Sequence, residues 1–274
     1  SLETITTLFL AKRKAADPDA TYVIKDYLKL NYLKRYWKHV SGNRIIFMCI
    51  LGLTAYWAVS QVILVSYSAF LIKHMPGLST VFVQGSIAIA GLGILLGALY
   101  AGRISRGYIE TGIIPFSAIA ITVCLFLLTH VFNRPGIIIV ELMYGFFGGM
   151  FIVPLNSLIQ YNASKKNLGK VLAGNNFCQN IGMFTFLLGN TIAALFKVDS
   201  AHILHAIFFL FLVMSVISIY MLPQYLLRYV VSFFMRRFYD LNVVGLQNIP
   251  EKGGVLLIGN HTSYLDWAII QMAC

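Results

Sequence analysis

The chain has 274 residues, 58% of them hydrophobic and only 11% charged. A soluble globular protein carries about 45–50% apolar and 25% charged residues, so a water-soluble fold is excluded. A formal charge of +11 would suit nucleic acid, but the basic residues sit mainly in loops between apolar segments. Anionic lipid is the expected neighbour there, and no nucleic-acid partner is expected.

In chain order, residues 1–44 read as a linker that ends in an amphipathic helix. Ile24, Tyr27, Leu28, Leu33, Tyr36, Trp37 and Val40 recur at helical spacing between Lys25, Lys29, Lys34, Arg35 and Lys38, the pattern of a helix lying on a membrane surface. Residues 45–222 hold six nearly charge-free runs, at 45–72, 75–102, 111–132, 136–161, 171–196 and 203–222. About 20 apolar residues cross about 30 Å of hydrocarbon, so six transmembrane helices are expected. Residues 223–239, opening at Pro223 and carrying Arg228, Arg236 and Arg237 among apolar residues, read as a second interfacial helix that links the last span to residues 240–274. The chain opens at Ser1 without an initiator Met and closes one turn into an expected helix, so both ends read as cuts.

The basic residues set the orientation. With residues 1–44 in the cytoplasm, the inside segments hold 18 of the 21 Lys and Arg, and the outer loops keep only Lys73, Arg134 and Lys197. The positive-inside rule then places both ends in the cytoplasm. The cysteines Cys49, Cys124, Cys178 and Cys274 show no C-x-x-C spacing; neither disulfide nor metal is expected from them.

Polar residues inside spans face protein or a water-filled cavity. They concentrate at Asn156, Ser157 and Gln160 in the fourth run and at Asn175, Asn176, Gln179 and Asn180 in the fifth. Two readings stay open: a polar lining for the headgroup of an amphiphilic substrate, or hydrogen-bonding glue between helices. Glu141 is the acidic residue within a span core. It reads either as a proton- or cation-coupling group or as a carboxylate snorkelling to the outer headgroups. Gly91, Gly93, Gly97, Gly145, Gly148 and Gly149 are expected to let helix backbones approach, and Pro115 and Pro154 to allow bends.

Gly97-Ala98-Leu99-Tyr100-Ala101-Gly102-Arg103-Ile104-Ser105-Arg106 resembles the loop between the second and third helix of each half of a major facilitator transporter, with Ala101 or Gly102 where that family has an acidic residue. Three further segments sharpen this: Ile109-Glu110-Thr111-Gly112-Ile113-Ile114-Pro115, Val153-Pro154-Leu155-Asn156-Ser157-Leu158-Ile159-Gln160 and Ala173-Gly174-Asn175-Asn176. Together they look like the C-terminal half of the bacterial lysophospholipid transporters. The resemblance implies half of a major facilitator fold in the inner membrane, an absent N-terminal six-helix half, and lysophospholipid as substrate. The headgroup-binding residues would then be Asn156, Gln160, Asn175, Asn176, Gln179 and Asn180.

The tail points the same way. Residues 241–245 and 253–258 pattern as two strands around Asn248-Ile249-Pro250 and run into Gly259-Asn260-His261-Thr262-Ser263-Tyr264-Leu265-Asp266-Trp267. This is similar to the opening of the glycerophospholipid acyltransferases, an α/β domain whose first motif is His, four residues, Asp. The resemblance implies that His261 is the general base and Asp266 its orienting partner. The donor would be an acyl thioester on acyl carrier protein or CoA, with no cofactor in this segment. The family's Arg and Glu-Gly motifs are expected beyond Cys274, so the segment alone is expected to be inactive. Ser263 to Asp266 also fits a helix capping box, which leaves a purely structural role for Asp266 open. The whole resembles a fused lysophospholipid transporter and acyltransferase of the 2-acylglycerophosphoethanolamine type. The alternative is a transporter of another solute with a non-catalytic appendage.

Overall fold

The computed structural model describes residues 24, 40, 42–239, 243–245, 248–250, 253–256, 258–260 and 263–273. The expected N-terminal amphipathic helix lies outside these apart from Ile24 and Val40. Helices form at all six apolar runs: α1 Arg44–His74, α2 Thr80–Ile104, α3 Ile113–Leu128, α4 Arg134–Asn162, α5 Leu168–Leu195 and α6 Ser200–Met221. α7 Pro223–Phe238 and α8 Asp266–Ala273 follow. Four of them (α1, α2, α4 and α6) are long and apolar enough to cross a membrane.

The other two depart from expectation for local reasons. α3 has 16 residues instead of the 22-residue run, about 24 Å of helix against about 30 Å of hydrocarbon. It stops where the Thr129 hydroxyl donates to the Phe126 carbonyl at 2.9 Å and His130 Nδ1 lies 2.8 Å from the same oxygen, so side chains take over an acceptor at the helix end. α5 is long, with 28 residues, but its asparagines and glutamine dilute its apolarity. Pro115 falls in the first turn of α3, where no helical bond is lost, so only Pro154 interrupts a helix.

α1 and α4 form the centre. α4 packs against α2, α3 and α1, while α1 also contacts α5 and α6, and α3 meets α6. The tightest contact is the seam of α2 with α4. A Cβ on Gly93 would lie 2.2 Å from the Leu142 carbonyl oxygen, and one on Gly97 1.8 Å from that of Phe146. From the other side, Gly145 and Gly149 would collide with the carbonyls of Ala90 and Ile94 at 1.9 and 2.2 Å. Only glycine lets the backbones meet in this way. Two of the expected six glycines do other work: Gly91 faces open space, and Gly148 makes room for the Tyr56 hydroxyl. On the α1–α4 face, Tyr56 stacks on Tyr144 with centroids 5.8 Å apart, and both rings are buried.

Cross-helix polar bonds tie the rest. Ser66 donates to Asn190 Oδ1 at 2.7 Å between α1 and α5. Thr122 and Ser215 join α3 to α6 at 2.7 Å, and Ser60 and Tyr144 join α1 to α4 at 2.8 Å. At the end of the bundle where α1 finishes and α6 starts, Lys73 pairs with Asp199, whose carboxylate also caps α6 at the Ala201 amide.

The described residues 253–256 and 258 do not form the expected strand. Among the described residues no strand is present, and Val255, Leu256 and Ile258 are 45%, 83% and 87% exposed. An extended run becomes a strand only by pairing its backbone with a neighbour, and the described part of the tail supplies none.

Two predictions follow from this packing. Gly97→Val forces a side chain into the α4 backbone and should destabilise the detergent-purified protein by ~1–3 kcal/mol or more, whereas Gly91→Ala, with open space around it, should hold or raise the thermal midpoint. A Gly97→Val midpoint equal to wild type would refute the seam. Lys73, with the Ala201 amide, holds the Asp199 carboxyl down to about 2, below the usual value of ~3.9. Its stabilising contribution is therefore complete above pH ~4 and is lost as pH falls toward 2. Unfolding scans across that window should show a steeper drop for wild type than for Asp199→Asn.

Candidate functional site

The six polar residues expected to bind a headgroup divide between two helices that touch only slightly. On α4, Asn156 is half-buried and donates to the Ile152 carbonyl at 3.0 Å, while Gln160, one turn further, is exposed. On α5, Asn175 is buried at 2% exposure, and its Oδ1 accepts from Gln179 Nε2 at 2.9 Å. Asn176 and Asn180 are exposed, and Asn180 Nδ2 donates to the Asn176 carbonyl at 2.7 Å. None of the six bonds to another helix among the described residues. Their bonds stay within one helix, with Gln160, Asn176 and Asn180 exposed, and the gluing of helices falls to Ser66–Asn190, Thr122–Ser215 and Ser60–Tyr144 instead.

α5 is seated on α1 along an extended face with few fully buried residues. Its buried residues are Val171, Asn175 and Asn190, and Gly182 fits against the Thr54 side chain, where a Cβ would come within 2.4 Å. Leu172, Cys178 and Phe186 pack half-buried against the core beside them, so Asn176 and Asn180 ride on a helix that α1 holds along its length.

Glu141 lies seven residues into α4, about 10 Å along the helix axis. It is 1% exposed, and among the described residues neither carboxylate oxygen has a hydrogen-bond partner. Tyr56 and Tyr67 of α1, Cys124 of α3 and Tyr144 of α4 lie within its electrostatic reach. A snorkelling carboxylate would be exposed at the rim, so that reading is not what the structure has; Glu141 points into the helix bundle. Sequence patterning gave no sign of this, because the inward and outward faces of a wholly apolar helix look alike.

At the other end of the bundle, Glu110 is also buried, at 4% exposure, but is fully engaged. One oxygen accepts from the Gly112 amide at 3.2 Å and the other from Arg228 of α7 at 3.1 Å. The Arg228 guanidinium also lies over the Tyr108 ring, 5.5 Å from its centroid. Gly112 is wedged under α7, where a Cβ would meet the Tyr225 carbonyl oxygen at 2.2 Å. Tyr229 packs on Phe116 with centroids 5.3 Å apart. α7 is thus clamped to the α2–α3 loop, a contact that sequence reasoning missed because its partners are far apart in the chain.

His261, the expected base, lies outside the described residues. Asp266 is the first residue of α8. Its Oδ2 accepts from the Ser263 amide at 3.0 Å, and Ser263 Oγ accepts from the Leu265 amide at 3.2 Å. The two bonds cap the start of the helix as a variant of the capping box, the Ser263 hydroxyl taking the amide one residue before Asp266, and they fix Asp266 at the mouth of the helix. No cluster of three or more His, Cys, Asp or Glu suited to a metal occurs among the described residues.

Removing the unpartnered carboxylate should relieve the core. Each unsatisfied buried polar group costs ~1–3 kcal/mol, so Glu141→Leu is expected to raise the thermal midpoint of the purified protein. A lower midpoint would show that the carboxyl is bonded in the embedded protein.

Comparison with known families agrees with this architecture. The family profile described as Major Facilitator Superfamily matches residues 5–187, and the profile described as Acyltransferase matches residues 240–274. Neither a curated protein nor a solved structure matches the chain. With its apolar helices packed through a glycine seam and its tail opening on the acyltransferase motif, the chain belongs to the major facilitator superfamily, as a multi-pass membrane protein fused to the start of an acyltransferase domain.

Proposed function

We propose that the intact protein carries lysophospholipid across the bacterial inner membrane to the cytoplasmic leaflet and re-esterifies it there. The observation that supports this reading most is the fusion itself. The acyltransferase match begins at residue 240, directly after α7, which is clamped to the transporter by Glu110, Gly112 and Tyr229. A carrier and an acyl-transfer domain joined in one chain suit a common lipid substrate.

In this reading α1–α6 are six membrane spans with both ends cytoplasmic, forming one half of a two-fold transporter. The preceding half supplies the second cavity wall. Asn156, Gln160, Asn175, Asn176, Gln179 and Asn180 line the path of the polar headgroup, and the exposed side chains of Asn176 and Asn180 offer hydrogen bonds to phosphate or its substituent. In the acyltransferase domain, His261 accepts the proton of the lysolipid hydroxyl as that oxygen attacks the thioester carbonyl. The thiolate of acyl carrier protein or CoA leaves and takes up the proton that His261 releases. Asp266, held at the start of α8 by Ser263, orients the imidazole.

The test uses the full-length protein in membrane vesicles. His261→Ala should lower acyl transfer by about 10²–10⁴-fold while lysophospholipid uptake continues; Asn176→Leu with Asn180→Leu should depress uptake while insertion and acyl transfer to added lysolipid persist. Acyl transfer undiminished by His261→Ala would refute the catalytic assignment. Transport of an unrelated solute without lysolipid uptake would favour a transporter with a non-catalytic appendage.

A further inference from the structure

Beside the clamp that holds α7 lies a cavity of about 560 Å³, within the ~300–1,000 Å³ range of small-molecule sites. One wall comes from the end of α2 and the following loop, with Tyr100, Ile104 and Tyr108, and the other from α7, with Phe233, Phe234 and Arg237. Phe233 and Phe234 are 55% and 54% exposed, so their rings are half free to meet an apolar chain. The walls are held in place: Gly112 admits the α7 backbone, and the ion pair of Arg228 with Glu110 fixes the helix rotation.

The charge balance selects the occupant. Glu110 is the acidic group of the lining, and Arg228 already neutralises it at 3.1 Å. Arg237 has no ion-pair partner among the described residues, so the cavity presents one uncompensated guanidinium above a floor of aromatic rings. That combination fits a phosphate joined to a hydrocarbon chain. Its position agrees: α7 leaves α6 at Pro223, at the end of the bundle where the headgroups lie, and Phe238 of the same lining stands two residues before the acyltransferase match begins.

We propose that this cavity binds a single-chain, phosphate-bearing lipid, a lysophospholipid waiting between carrier and acyltransferase. The proposal rests on the lysophospholipid reading above and gives it a hand-off site, with the chain against Phe233, Phe234 and Tyr100 and the phosphate on Arg237.

The experiment uses full-length protein in vesicles and a lysophosphatidylethanolamine probe with a photoreactive diazirine on its chain. Peptide mapping should place adducts on the α2 end and α7, displaced by excess unlabelled lysolipid but not by inorganic phosphate or diacyl phospholipid. Arg237→Glu should lower adduct yield about tenfold, the loss of one charge-assisted bond. Displacement by diacyl phospholipid to the same extent would overturn the proposal in favour of a boundary lipid. Adducts spread evenly over lipid-facing α6, or a yield unchanged by Arg237→Glu, would overturn it as well. Uptake and acyl transfer are read in the same vesicles: both intact without adducts at the cavity reject the site alone, whereas neither activity toward lysolipid rejects the function it rests on.

Discussion

Backbone contact between α2 and α4 is the constraint on which the rest of the bundle depends. Within a bilayer there is no hydrophobic drive to bring helices together, because lipid chains are as apolar as leucine; association rests on close packing and on interhelical bonds. Four glycines let the two helices meet carbonyl to backbone, and this fixes the rotation of α4. Its remaining faces are then assigned: Tyr144 and Phe151 turn to Tyr56 of α1, and Glu141 is carried into the interior rather than to the rim.

The second organising contact is ionic and lies where the bundle gives way to the tail. A buried pair such as Glu110 and Arg228 is poor evidence for net stability, since desolvation offsets attraction. What it supplies is register. With Gly112 leaving room for the α7 backbone, the pair fixes the seating of the helix that precedes the acyltransferase segment.

Much of this was legible in the sequence because hydropathy acts over whole helices. All six apolar runs became helices, and the spacing of Gly93 with Gly97 and of Gly145 with Gly149 marked the seam. The misses lie where a local competitor or a distant partner decides. α3 stops early because Thr129 and His130 satisfy a carbonyl that the helix would otherwise claim. Gly91 looks like its neighbours in sequence but sits on another face. Glu141 could be placed near the outer end, but its burial depends on how α4 rotates. Glu110 and Arg228 are 118 positions apart, with no periodic signal to join them. For the candidate site, Ser263-x-x-Asp266 announced its own cap, whereas the orientation of the α5 amides depends on which face α1 covers. The strand pattern of the tail is realised only when another strand pairs with it.

The composition of α5 bears on how such a chain is assembled. It is the least apolar of the six long helices, and its side chains would enter hydrocarbon poorly from the translocon alone. α1, made earlier, holds the complementary features: Thr54 receives Gly182, and Ser66 bonds Asn190. α5 thus meets its partner features on a helix that precedes it in the chain, so the order of synthesis suits the pairing of these two helices.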